Sequence, residues 1–115
     1  MTKKTVMAAG VLASMLFFTV GASAKWVSVA KVERVRAYAD SSRIDIWFDV
    51  DVTTGCGSSD NSKVSVDSSY ITSSERREQI REVALAARLS GRDVEVNTVS
   101  GCSNSLGKLD YISLK

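Results

Sequence analysis

Only one stretch of this 115-residue chain carries helical spacing, and the segments on both sides of it alternate as strands do. Thr72-Ser73-Ser74-Glu75 through Leu89-Ser90-Gly91 reads as a capped helix. Arg92 to Val96 follows as a strand, and then comes Gly101-Cys102, whose only bridging partner in the chain is Cys56. A lone helix set among short strands and tied down by one bridge restricts the fold to a small barrel built mainly of β-structure.

The beginning of the chain predicts its destination. Lys3 and Lys4 precede an apolar run from Val6 to Val20, and Ala22-Ser23-Ala24 supplies the small residues of a signal peptidase site. That is the build of a secretory signal peptide over residues 1–24. The apolar run is shorter than the roughly 20 residues that span a bilayer, so no membrane span is expected after cleavage. Residues 25–115 form the expected single domain, exported to the periplasm or secreted. The full chain has 15 Lys and Arg against 13 Asp and Glu, so loss of Lys3 and Lys4 leaves a net charge of zero. Sequence-independent binding to nucleic acid relies on an excess of cations that releases counterions, and the expected mature chain has none.

Cys56 and Cys102 are the only cysteines, and an oxidising compartment pairs them. Closing a loop of about 47 residues is worth roughly 4 kcal/mol in the chain-entropy account. A redox or metal role has little support, because the chain contains no Cys-x-x-Cys and no histidine. No cofactor is expected.

From Trp26 to Ala39 the apolar residues change phase: Val27 and Val29 share one parity, Val32 has the other, and Val35 with Ala37 returns to the first. Such a slip predicts a bulge or bend in a long strand. After a turn at Asp40-Ser41-Ser42, the clearest strand places Ile44, Ile46, Phe48, Val50 and Val52 on one face. Asp45, Trp47, Asp49 and Asp51 share the other, predicted wet, face. A loop over 53–61 leads to a short strand at 63–67 with Val64 and Val66 inward. Thr72 and Glu75 fit a capping box, and Gly91 suits the left-handed residue that ends a helix. Residues 103–107 read as a loop and 108–114 as a closing strand.

The helix has more apolar surface than one packing face needs. Ile80, Val83, Ala84 and Ala87 form one stripe, while Leu85 and Leu89 point nearly the opposite way. Arg77, Arg81 and Arg88 gather on a third side. Leu85, Leu89, Arg81 and Arg88 are therefore the candidates for an oligomer interface.

The order β-β-β-α-β-β is that of a five-stranded oligonucleotide/oligosaccharide-binding (OB) barrel, in which the helix plugs one end and the first strand bends to serve both halves. The helix end and strand Leu89-Ser90-Gly91-Arg92-Asp93-Val94-Glu95-Val96, the later Gly101-Cys102 and the terminal Leu109-Asp110-Tyr111-Ile112-Ser113-Leu114 resemble small exported proteins related to the binding subunits of subtilase-cytotoxin-type AB5 toxins. The resemblance implies an oligosaccharide-binding barrel that assembles as a ring of five. It carries over no sugar-contacting residue.

The residues themselves offer one candidate surface. Trp47 lies among Asp45, Asp49 and Asp51, and an indole flanked by acceptors suits a sugar ring whose C–H face stacks while its hydroxyls donate. Tyr38, just before the turn, joins it across the hairpin. The competing assignment has Trp47 covered by a strand, a loop or a neighbouring subunit. Catalysis is not expected. Without histidine there is no Ser-His-Asp or Cys-His arrangement, and Asp49-Val50-Asp51-Val52-Thr53 is more simply the wet side of a strand than an aspartate nucleophile. No loop spacing supports a calcium site on Asp49, Asp51 and Asp60. The expected function is a non-enzymatic glycan-binding module, with an envelope protein that binds another protein as the alternative.

Overall fold

The computed structural model describes residues 24–39, 42–56 and 60–115. The expected signal peptide lies outside them except for Ala24. The described elements are β1 (Lys25–Ala37), β2 (Ile44–Phe48), β3 (Lys63–Val66), α1 (Ser74–Ser90), β4 (Asp93–Ser103) and β5 (Leu106–Leu114). The sheet closes on itself in the order β1-β2-β3-β5-β4, with β4 returning to β1. Among the described residues, one helix and five strands in this order give the OB-like barrel that the sequence predicts.

β1 is the strand that makes closure possible. Its first half pairs with β4, from Lys25↔Thr98 to Lys31↔Asp93, and its second half with β2, from Val32↔Phe48 to Ala37↔Ile44. The register shifts between Val27 and Ala30 and again between Val32 and Arg34, where the sequence changes phase. A bulge bends and twists a strand, and two of them turn β1 from one half of the sheet to the other.

The opposite seam is thinner. β3 and β5 are parallel and share only the pairs Val64↔Gly107 and Ser65↔Lys108. Beyond them Tyr70 bridges the strands: its hydroxyl lies 2.6 Å from the Ser65 carbonyl and 2.9 Å from that of Leu109. Burial pushes the Tyr70 phenol well above its ordinary pKa. The hydroxyl therefore stays protonated and donates to this carbonyl pair. Gly107 sits at the same seam. A Cβ there would come within 2.4 Å of Thr53 Oγ1, so the close approach of the loop after β2 requires glycine.

Ile44, Ile46 and Phe48 on β2, Val64 and Val66 on β3, and Val94 and Val96 on β4 fill the barrel. α1 closes it by burying Ile80, Ala84 and Ala87. The two alanines let the helix axis sit close to the strands. Arg76 Nη2 ties the helix to β5 through the Asp110 carbonyl at 2.7 Å and the Asp110 carboxylate at 2.8 Å. Cys56 and Cys102 form a disulfide, with a Cα–Cα distance of 5.6 Å, joining the loop after β2 to the end of β4.

Four local expectations are corrected. The N-cap is Ser73, not Thr72: its side chain accepts the Arg76 amide at 3.1 Å, and Glu75 lies in the first turn without reaching back. Thr72, Ser73 and Ser74 carry the same local signal, so spacing alone does not choose among them. β2 ends at Phe48 and Val50 is 40% exposed, because the Val52 and Thr53 amides leave the ladder to reach the Asn61 carbonyl at 2.9 and 3.1 Å. β4 continues past Val96 to Ser103. The expected loop after it is a two-residue hairpin, with Asn104 and Ser105 both at positive φ as a type I′ turn demands.

Candidate functional site

Pairing across β1, β2 and β3 sets two rows of side chains on the outside of the barrel. One row is Arg34–Trp47–Lys63 and the next is Arg36–Asp45–Ser65. Strand alternation puts them there, because Ile44, Ile46 and Phe48 take the inner face. The sequence predicts an indole among acceptors. The structure instead surrounds it with donors. The Arg34 guanidinium lies 4.6 Å from the Trp47 ring centroid and the Lys63 ammonium 4.3 Å from it, both within cation–π range.

Asp45 is the pivot of the cluster, and it is fully buried rather than wet. Arg43 donates to both carboxylate oxygens, from Nε and Nη2, at 2.9 Å each. The Tyr38 hydroxyl donates to Asp45 Oδ2 at 3.2 Å, and the Lys63 ammonium approaches the same oxygen at 3.7 Å. The hydrogen bond to Asp45 raises the Arg43 pKa above its ordinary value. A buried carboxylate requires this many partners, since an unpaired one would shed its charge. The Tyr38 ring is in turn flanked by Arg43 at 4.8 Å and Arg36 at 5.5 Å. Two aromatic rings, each between two cations, are thus assembled on one buried aspartate.

The same end of the barrel has a groove of about 220 Å³ between the β1–β2 hairpin and the start of α1. Tyr38, Arg43, Arg77, Glu78 and Arg81 line it. Arg81 is held by Glu78 at 2.6 Å, and Arg77 donates to the Ile71 carbonyl at 2.6 Å. Arg81 therefore belongs to this groove, while Arg88 stands apart in the last turn of the helix.

Trp47, Tyr38 and Asp45 lie in one cluster, with Asp45 buried beneath it and not on an open acceptor face, and Asp49 does not join them. Asp49 is exposed beyond the end of β2 and accepts the Lys31 amide at 2.8 Å, which continues the β1–β2 pairing past the bulge. Leu85 is half-buried and Leu89 is 84% exposed. Sequence reasoning missed Arg34, Arg36, Arg43 and Lys63. Arg34 and Arg36 share a parity on β1, but which strand they face depends on where the bulges fall. No group of three or more metal-ligating side chains occurs among the described residues, and no helix among them is long and apolar enough to cross a membrane. No family model, curated protein or solved structure matches the chain.

Proposed function

We propose that this chain is an exported, non-enzymatic binding module that takes an oligosaccharide on the outer face of β1, β2 and β3. The observation that carries the reading is the array of Arg34, Arg36, Arg43 and Lys63 around Trp47 and Tyr38, with one buried carboxylate holding it in place. Strands 2 and 3 of a barrel of this order are where such folds take extended polar ligands. The chemistry of the array narrows the class. Asp45 is spent on its own neighbours, so the face presents donors and positive charge, which complement a sugar bearing carboxylate or sulfate groups. The half-buried indole, packed against Arg34 and Lys63, holds the two cations in place at the binding surface.

The resemblance to toxin binding subunits adds a ring of five, in which the helices would line a central pore. The test is binding to immobilised glycans. Wild type binds acid-bearing glycans in preference to their neutral counterparts, and the preference weakens with salt. Trp47→Ala loses the binding while remaining folded. Equal binding to acidic and neutral glycans, or full binding by Trp47→Ala, sinks the reading.

A second reading, an envelope protein that binds another protein, would use the outward side of α1, where Leu89 is 84% exposed. Native mass measurement separates the two. A pentamer favours the toxin-type module, and a monomer that recovers one partner on crosslinking in cells favours the protein-binding reading.

A further inference from the structure

We propose a second binding site, for a small organic cation, on the outer face of β1, β4 and β5, formed by Trp26, Tyr111 and Glu95. This inference does not depend on the glycan reading. Cross-strand pairing places Trp26, Asn97 and Tyr111 in one row, Trp26↔Asn97 and Asn97↔Tyr111. Glu95, two residues before Asn97, shares its face. The Trp26 indole N–H donates to Glu95 Oε2 at 2.9 Å, and the Tyr111 hydroxyl donates to Oε1 at 3.4 Å. One carboxylate therefore holds two aromatic side chains by their polar edges, with the rings rooted two strand spacings apart, about 10 Å.

The contrast with the other aromatic side chains on the barrel surface identifies the ligand. Trp47, Tyr38 and Tyr70 each have a lysine or arginine of the chain at 4.3 to 5.5 Å from the ring centroid. Among the described residues no such cation lies over Trp26 or Tyr111, which are 59% and 38% exposed. Lys25, next to Trp26 on β1, alternates to the other side of the strand, and three cations on the surrounding elements are engaged elsewhere. Lys31 binds Asp93 and the Gly91 carbonyl, Lys115 binds the Ser28 carbonyl, and Arg76 binds Asp110. Two exposed aromatic side chains beside a carboxylate that has no ion-pair partner among the described residues complement an ammonium group that brings its own carbon surface. Quaternary ammonium groups are the ligands that aromatic walls of this kind hold best. An anionic ligand meets Glu95 and is repelled.

The site is tested on the disulfide-bonded exported protein by titrating choline and following the indole N–H resonances of its two tryptophans. The Trp26 resonance is expected to move saturably and that of Trp47 to stay in place, with sodium chloride at equal ionic strength moving neither. Glu95→Gln keeps the shape and an acceptor but removes the charge, and should weaken choline binding about fivefold or more. Three results would each overturn the proposal: a Trp26 resonance that does not move at about 10 mM choline, a concentration that saturates a millimolar site; unchanged choline binding by Glu95→Gln; or a neutral methyl glucoside moving Trp26 as far as choline does. A failed glycan screen leaves this outcome untouched, since that reading is reported by Trp47.

Discussion

Two residues outside the aromatic clusters show how tightly the barrel is specified. Gly107 has no room for a methyl group, because its added Cβ would lie 2.4 to 2.7 Å from three atoms of the Thr53 side chain. Gly107→Ala should therefore cost about 2 to 3 kcal/mol through overpacking, read as a fall in the urea midpoint at constant slope. An unchanged midpoint would mean that the loop carrying Thr53 moves aside to admit the methyl group at no cost. Asp67 makes the pH-dependent case. Partial burial pushes its pKa up, but hydrogen bonds from the Ser69 hydroxyl and amide, Ser103 and Asn104 outweigh that and hold it below the ordinary value. A depressed folded-state pKa adds stability that is present above the unfolded value of about 4 and lost as pH falls through the folded one. Asp67→Asn should flatten that part of the acid-unfolding profile and leave it unchanged near neutrality in slope. A profile as steep as wild type below pH 4 would assign the acid sensitivity to other carboxylates.

At the scale of elements, α1 and the β3–β5 seam give separate tests. Ser73→Ala should cost about 1 kcal/mol and Thr72→Ala almost nothing, because only Ser73 caps the helix. The reverse order would restore the start that the sequence predicts. Tyr70→Phe removes the hydroxyl between the Ser65 and Leu109 carbonyls, so a loss of about 1 to 2 kcal/mol is expected, together with faster amide exchange near Gly107. Equal stability would show that water satisfies the carbonyls as well as the phenol does. What was legible in the sequence follows the range of each interaction. The bend in β1 shows as a parity change, the helix end shows as Gly91, and the disulfide follows from the cysteine count. The parallel β3–β5 contact is two residue pairs between segments some 40 positions apart, and no local pattern encodes it. The site divides the same way. Trp47 and Tyr38 are visible as aromatics on the outer side of a hairpin. The burial of Asp45 and the cations over the rings depend on register among three strands, which strand alternation does not supply.

For the molecule as a whole, closure of the sheet gives two outer surfaces whose aromatic side chains have different charged neighbours. The β1–β2–β3 surface carries cations packed on Trp47 and Tyr38. The β1–β4–β5 surface carries Trp26 and Tyr111 tethered by Glu95. Since β1 contributes to both, its two bulges decide which of its residues joins which surface. The chain contains two tryptophans, one on each surface, so each reports on its own site without labelling beyond nitrogen-15. The most direct measurement of the central claim is therefore a titration of the protein with the acid-bearing glycan that binds it best on an array, read at the two indole N–H resonances. Movement of the Trp47 resonance with saturation, with Trp26 unmoved, is the predicted result. A bound glycan that leaves the Trp47 resonance in place would contradict the assignment of the β1–β2–β3 face as the binding surface.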